Sequence, residues 1–223
     1  DPAFKKSLRD DAMIPRLVVV DPELTLSLPS TTTAYTGMDA ITQLIESYVS
    51  RRAAPIPRAL ALSGLEIGLP ALPRVVRDGS SLEDREAMSQ AALLSGLALA
   101  NSGLGLAHGV AAALGVHCRV PHGLACATML PTAMRVNLEV SRSDFARLER
   151  LFNPTAGDDA ANAFLNRIES LCREIEIPNR LREIGVSRSQ IPGLVQSSKG
   201  NSMSGNPRDV SDAELTAILE DLW

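Results

Sequence analysis

The chain has 223 residues, of which 45% are hydrophobic and 22% are charged, and its formal net charge is −4. This excess of acidic residues argues against a surface that binds nucleic acid or anionic membranes. No apolar run approaches the roughly 18 residues that a membrane-spanning helix needs. The charged residues from Asp1 to Asp10 do not indicate a signal peptide. With three cysteines and no CxxC pair, the expected location is the reducing cytoplasm.

The beginning of the chain predicts one β-strand. Residues 16–20 read Arg-Leu-Val-Val-Val and stop at an Asp-Pro pair, which is typical of a strand. A single strand cannot satisfy its own backbone groups, so its partner is expected upstream of this sequence or on another chain. An exposed strand edge of this kind also favours pairing with a second chain, for example in a homodimer.

From Leu28 onward the spacing of apolar residues predicts helices. Prolines 70 and 73 are expected to break the second helix, and a linker is expected over 116–120. Serines 81, 187 and 211 have the spacing of helix caps. The predicted helices cover residues 29–50, 59–76, 81–101, 108–114, 121–137, 144–152, 160–175 and 178–184, followed by one helix after Ser187 and a last one after Ser211.

The three histidines, His108, His117 and His122, fall within 15 residues. His108 and His122 each stand at the start of a predicted helix, and a short linker between the helices allows both to face one point. Asp39 and Gln43 are four residues apart and share one helix face. Because imidazole suits divalent Fe or Zn and a carboxylate adds charge, these four residues form a candidate metal site.

Structural roles remain open for the same residues. An isolated histidine is often a core or capping residue, and His117 in the linker is interpreted in that way. Asp39 could serve a helix start, and Glu46, seven residues later, could support the site or form an ion pair. The cysteines are interpreted as small buried hydrophobic residues: Cys118, Cys126 and Cys172.

Two longer motifs resemble the signatures of the iron-containing (group III) alcohol dehydrogenases. The resemblance runs from about Ser7 to Leu222, and the two histidines are separated by 14 positions, as in that family. The motifs are TGMDAITQLIE (36–46) and GLGLAHG (103–109) with VPHG (120–123), and shorter matches are DPELT (21–25) and GNP (205–207).

The resemblance implies a fold and a set of ligands. Family members join an N-terminal α/β nucleotide-binding domain to a C-terminal helical domain that holds a divalent metal with one Asp and three His. Residues 28–223 are therefore expected to form an all-α, multi-helix domain of the dehydroquinate-synthase-like type. Residues 1–27 would be the tail end of the nucleotide-binding domain, with the strand at about 16–20. The implied metal ligands are Asp39, Gln43, His108 and His122.

Two positions depart from the family pattern. Gln43 stands where the family has a histidine, and its amide is a neutral and weaker donor, so we expect lower affinity for Fe or Zn, a shift toward harder ions, or no metal. Ala112 stands where many members carry a histidine that is given a proton-relay role near the nicotinamide. Alanine cannot transfer protons. Some relatives, such as maleylacetate reductases, work without metal.

The implied activity is that of the C-terminal part of a metal-dependent, NAD(P)-linked alcohol dehydrogenase. It would interconvert a small alcohol and an aldehyde or ketone by hydride transfer, with NAD or NADP bound mostly by a nucleotide-binding domain of the same polypeptide. Residues 103–109 do not match the dinucleotide fingerprint, because they follow a helix and the third glycine is at the wrong offset. The chain alone is therefore predicted to be inactive. The alternative is a degenerate, metal-free or non-catalytic helical module.

Overall fold

The computed structural model describes residues 10–223, so the expectations for residues 1–9, including the absence of a signal peptide, lie outside the described residues. Within 10–223 the regular secondary structure is helical, as predicted for residues 28–223. The α-helices are α1 (Ser30–Val49), α2 (Pro55–Arg77), α3 (Leu82–Ala100), α4 (Leu106–Cys118), α5 (His122–Asn137), α6 (Arg142–Glu149), α7 (Ala160–Glu174), α8 (Ile191–Ser197) and α9 (Asp212–Leu222).

The strand predicted at 16–20 is not formed. Residues 17–20 have no regular secondary structure, and the side chains of Leu17 and Val19 are 80% and 78% exposed. A strand needs a partner for its N–H and C=O groups, and residues 10–223 contain no other strand to provide one. The apolar run is therefore left facing solvent.

The predicted break in the second helix is wrong, because α2 is continuous with Pro70 and Pro73 inside it. Pro70 lies on the exposed side, close to the exposed Glu66, where carbonyl groups that lose their N–H partner can be hydrated. The opposite face packs against α1 and α3 and holds the helix together. Its buried residues include Leu65, Leu69, Leu72 and Val75.

By length and composition, α2 would also be able to cross a membrane, which the sequence analysis did not anticipate. Among the described residues, α2 is the helix that is both long enough, at 23 residues, and apolar enough to span a membrane. Of its most apolar 18-residue stretch, 44% is buried inside the fold. The buried side of α2 packs against α1 and α3, and length and apolar composition by themselves are weak evidence for a membrane span.

The junction between α4 and α5 differs from the prediction in length. α4 continues to Cys118, beyond the predicted end at 114, and stops where Arg119 adopts a left-handed conformation with φ 57°. The connection to α5 is therefore shorter than the predicted linker. α5 begins at His122, with Pro121 as its N-cap residue rather than its first helical residue. This connection joins the end of α4 to the start of α5, where His122 lies.

The predicted helix caps are confirmed, and one predicted helix is wrong. The Ser81 side chain accepts a hydrogen bond from the Asp84 N–H at the start of α3, and the Ser211 side chain accepts one from the Glu214 N–H at the start of α9. Ser187 forms a capping box before a short 3-10 turn that leads into α8. The helix predicted at 178–184 is reduced to the 3-10 turn Leu181–Ile184.

Two hydrophobic clusters make up the core of the described residues. One joins α1, α2, α3, α6 and α7, and the other joins α4, α5, α8 and α9. α5 serves both, since Leu130 packs in the first cluster and Met129 in the second. α1 contacts both α4 and α5, so these three helices meet at the boundary between the clusters.

Candidate metal site

Four potential metal-binding side chains meet where α1, α4 and α5 come together. Asp39 lies on α1, His108 in the first turn of α4, His122 at the start of α5 and Cys126 one turn further on. One donor atom from each lies within 4.8 Å of the others. Asp39 Oδ1 is 3.1 Å from His108 Nε2 and 3.9 Å from His122 Nε2, and Cys126 Sγ is 3.7 Å from His122 Nε2.

The structure places Gln43, the fourth residue predicted from the sequence, in contact with α3. Its Oε1 lies 2.9 Å from Ser95 Oγ, which is also 2.8 Å from the Ala92 carbonyl oxygen. The single hydroxyl proton of Ser95 serves one of these oxygens at a time. The contact ties one end of the Gln43 amide to α3, and its role as a metal ligand stays a prediction.

Sequence reasoning missed Cys126. We interpreted it as a buried hydrophobic residue, and it is indeed fully buried, but its sulfur lies among the donor atoms of the site. The available signal was its position four residues after His122 on one helix, since residues i and i+4 share a face. That spacing was applied to Asp39 and Gln43 and not to this pair.

Glu46 orients the His108 ring by contacting Nδ1, the ring nitrogen that does not face Asp39. Its Oε2 lies 2.8 Å from His108 Nδ1, and the carboxylate also accepts the backbone N–H groups of Gly105 and Ala107 at 3.0 and 2.7 Å. A carboxylate only accepts hydrogen bonds, so Nδ1 donates to Glu46, and Nε2, which lies 3.1 Å from the Asp39 carboxylate, is the nitrogen that would lose its proton to bind a metal ion. Glu46 therefore fixes the tautomer of His108 and caps the positive end of α4.

Asn206 accepts a hydrogen bond from another backbone N–H group at the start of α4. Its Oδ1 accepts the Leu106 N–H at 3.1 Å and the Asn137 amide N–H at 2.9 Å, which ties α4 to the end of α5. Helix starts leave N–H groups without partners inside the helix, and here Glu46 and Asn206 share them. The GNP motif at 205–207 thus helps to fix the helix that carries His108.

Burial and neighbouring polar groups shift the pKa values of three side chains in the site, those of His108, Cys126 and Asp39. Burial lowers the pKa of the His108 imidazole, but Cys126, Asp39 and Glu46 outweigh burial and hold that pKa well above its ordinary value. Burial raises the pKa of the Cys126 thiol to about 11. Burial acts to raise the pKa of Asp39, but His108 and His122 lower it overall. The carboxylate stays charged, which is the form that binds cations.

These residues fit a divalent transition-metal ion. Donor atoms at 2.0–2.3 Å from a tetrahedral ion are separated by about 3.3–3.8 Å. The two Asp39–histidine separations are 3.1 and 3.9 Å, and all four donor atoms lie within 4.8 Å of one another. Nitrogen, sulfur and carboxylate donors suit Zn or Fe. The site is open on one side, because His122 and Asp39 side chains are 38% and 23% exposed. An open side is typical of catalytic sites and not of closed structural ones.

The remaining residues considered in the sequence analysis lie outside this group. His117 Nε2 is 2.7 Å from Ser197 Oγ, in a contact between α4 and α8. Ala112 is half-buried one turn after His108 and offers no titratable group. Cys118 and Cys172 are free thiols, and neither belongs to the cluster around Asp39.

Gly123 allows α5 to approach α1 beside the site. A Cβ atom on Gly123 would lie 2.3 Å from the backbone carbonyl oxygen of Tyr35. We expect Gly123→Ala to push the start of α5, with His122, away from α1 and to destabilise the protein by about 1–3 kcal/mol. Urea denaturation measures this change in the free energy of unfolding.

Gly96→Ala in α3 is the matched control. A Cβ atom there meets nothing within 4 Å, so the same change is expected to stabilise the protein by about 0.5–1 kcal/mol, because glycine is unfavourable inside a helix. A similar effect of the two substitutions would contradict a steric role for Gly123.

Comparison with known proteins places the chain in a family. Residues 33–223 match the C-terminal part of the Fe-containing alcohol dehydrogenase family. The chain is 35% identical to the 1-propanol dehydrogenase of Salmonella typhimurium, with 100% of this chain and 63% of that protein covered. It is 36% identical to the 1,3-propanediol dehydrogenase of Klebsiella pneumoniae, with 92% and 54% covered. The chain thus spans little more than half the length of such relatives.

Solved structures agree with this assignment. The crystal structure of a 1,3-propanediol oxidoreductase superposes with a TM-score of 0.87 at 35% identity, covering 91% of this chain and 55% of that one. The sulfoacetaldehyde reductase of Bifidobacterium kashiwanohense, solved in complex with NAD+, gives 0.86 at 29% identity, covering 95% and 55%. The chain therefore belongs to the iron-containing alcohol dehydrogenase family, whose C-terminal helical domain it matches.

Proposed function

We propose that the chain is the C-terminal part of a metal-dependent, NAD(P)-linked alcohol dehydrogenase that interconverts a small alcohol and an aldehyde or ketone. The observation that carries this proposal is the convergence of Asp39, His108 and His122 at an open site, in a chain of this family. The names of the relatives, 1-propanol and 1,3-propanediol dehydrogenases, favour a short-chain alcohol as the substrate.

The proposed enzyme has a second domain. In this proposal residues 1–27 end a nucleotide-binding domain of the same polypeptide, and residues 28–223 form the helical metal-binding domain. The exposure of the apolar segment at 17–20 supports a partner surface there, supplied by that domain or by a second copy in a homodimer. The free cysteines are in keeping with the cytoplasmic location expected from the sequence.

The side chains of the site would have different roles in the proposed reaction. A divalent ion, when bound, would polarise the alcohol or carbonyl oxygen as a Lewis acid, and a nicotinamide nucleotide would exchange hydride with the adjacent carbon. Asp39, His108 and His122 would hold the ion, with Gln43 as the fourth ligand predicted from the sequence. Glu46 keeps His108 Nε2 available for binding. Ala112 can neither hold nor pass a proton, so we expect no relay through this position.

Metal content is the first test. We expect about one Fe or Zn ion per chain in protein purified without chelator, and its loss in His122→Ala, as measured by elemental analysis. His117→Ala is the matched control, because His117 lies outside the cluster and should leave the metal content unchanged. Reduction of NAD+ or NADP+ by 1-propanol or 1,3-propanediol is expected from the full-length enzyme and not from residues 1–223 alone.

A metal-free or non-catalytic helical module is the second candidate. It is favoured by the contact that ties Gln43 to Ser95 and by the alanine at position 112. Absence of metal from the wild-type protein, with no gain on adding Fe or Zn, would support this candidate and contradict the proposed metal-dependent function.

A further inference from the structure

We propose that Cys126 supplies the fourth metal ligand of this site, where the sequence predicted Gln43. The inference rests on the proposed metal-dependent function and concerns only which side chains hold the ion. Three donors of the predicted set, from Asp39, His108 and His122, lie together with Cys126 Sγ in one cluster. The family motif gives no reason to expect a thiol at this place.

The position of Cys126 on α5 makes it a suitable ligand. It follows His122 by one helical turn, so both side chains lie on the same face of the helix, and Sγ is 3.7 Å from His122 Nε2. Ligands of a tetrahedral ion are separated by about 3.3–3.8 Å. The separation from His122 matches this value, and Sγ lies within 4.8 Å of the donor atoms of His108 and Asp39.

Donor chemistry also favours Cys126 over Gln43. A thiol that coordinates a metal ion is deprotonated, so Cys126 would add a charged sulfur donor where the Gln43 amide would add a neutral and weaker one. Cys126 is fully buried, and its sulfur lies among the other donor atoms of the site.

The preferred metal changes with the ligand. Gln43 alone suggested a shift toward harder ions, whereas thiolate with imidazole selects Zn and related borderline ions over Mg or Ca. In this arrangement Gln43 keeps its contact with Ser95 and connects α1 to α3. The substitution of the family's histidine is then compensated by a cysteine on a different helix.

Binding of Co(II) tests the proposal without reference to activity. A coordinated thiolate gives an intense near-ultraviolet sulfur-to-cobalt charge-transfer absorption, which nitrogen and oxygen ligands do not give. We expect one Co(II) per chain with this absorption in the wild type and in Cys172→Ser, a matched control at another buried cysteine outside the cluster. Cys126→Ser should lose the absorption and bind at least about 10-fold more weakly, whereas Gln43→Ala should keep both.

Each other outcome has a definite meaning. Stoichiometric Co(II) without the charge-transfer absorption, or a Gln43→Ala variant as weak as Cys126→Ser, would overturn the role of Cys126 and leave the proposed metal site standing. Failure of the wild type to bind Co(II) would overturn the proposed function and this inference together. If Cys126→Ser does not fold, X-ray absorption of the Zn-loaded wild type decides: one sulfur at about 2.3 Å is expected, and no sulfur would overturn the proposal.

Discussion

Replacing Asp39 with asparagine is expected to abolish stoichiometric metal binding while the helical fold is retained. Asp39 Oδ1 is the atom that both histidines approach, at 3.1 and 3.9 Å, so a bound ion would lie against it. Asparagine keeps the size of the side chain and removes its charge. Because loss of a residue that only orients a ligand already costs about 10–100-fold in affinity, we expect Asp39→Asn to cost at least the upper end of that range.

Competition with a coloured chelator measures this affinity, and circular dichroism checks the fold. Asp158→Asn is the matched control, because it makes the same change at an exposed carboxylate and should leave metal affinity unaltered. In the full-length enzyme, Asp39→Asn should also remove alcohol oxidation. An Asp39→Asn variant that retains wild-type metal affinity would show that the ion, if any, is held elsewhere.

The site residues that could be predicted from the sequence are those whose position follows from local helix geometry. Asp39 follows from its place on a helical face, and His108 and His122 from their positions at the starts of two helices. The structure brings these three together. The role of Cys126 was within reach of the same argument, since it lies one turn from His122. It was missed because a buried cysteine is usually a core residue.

Contacts between distant segments could not be predicted in this way. Glu46 and His108 are 62 positions apart, and Asn206 and Leu106 are 100 apart. Its place seven residues after Asp39 made Glu46 a possible support for the site, but nothing in helical periodicity says which helix start its carboxylate will reach. Such pairs depend on how α1 and the segment before α9 pack around α4, which is a property of the tertiary structure.

The wrong predictions arise where context overrides local preference. The β-branched residues at 16–20 favour a strand, but a strand without a partner leaves its backbone groups unpaired. Prolines 70 and 73 disfavour a helix locally, yet the buried face of α2 gains more from packing than the lost hydrogen bonds cost. In both cases the deciding contacts lie outside the segment itself.

The largest loss of stability is expected from Glu46→Gln. The glutamine side chain has the same shape, but one of its ends is an NH2 group that must face a donor, whereas the Glu46 carboxylate accepts from Gly105, Ala107 and His108 Nδ1. An unsatisfied buried donor costs about 1–3 kcal/mol, and hydrogen bonds to a charged group are stronger than neutral ones. We therefore expect a loss of about 2–4 kcal/mol in the free energy of unfolding.

Glu66→Gln is the matched control for this measurement. Glu66 lies exposed on α2, so the same chemical change there should stay within about 0.5 kcal/mol in urea denaturation. Metal affinity gives a second readout, because Glu46→Gln weakens the hold on the His108 tautomer and should lower the affinity by about 10–100-fold. If stability falls while metal affinity does not, Glu46 only caps α4. If both fall, the carboxylate links the stability of the helix start to the position of the metal-binding imidazole.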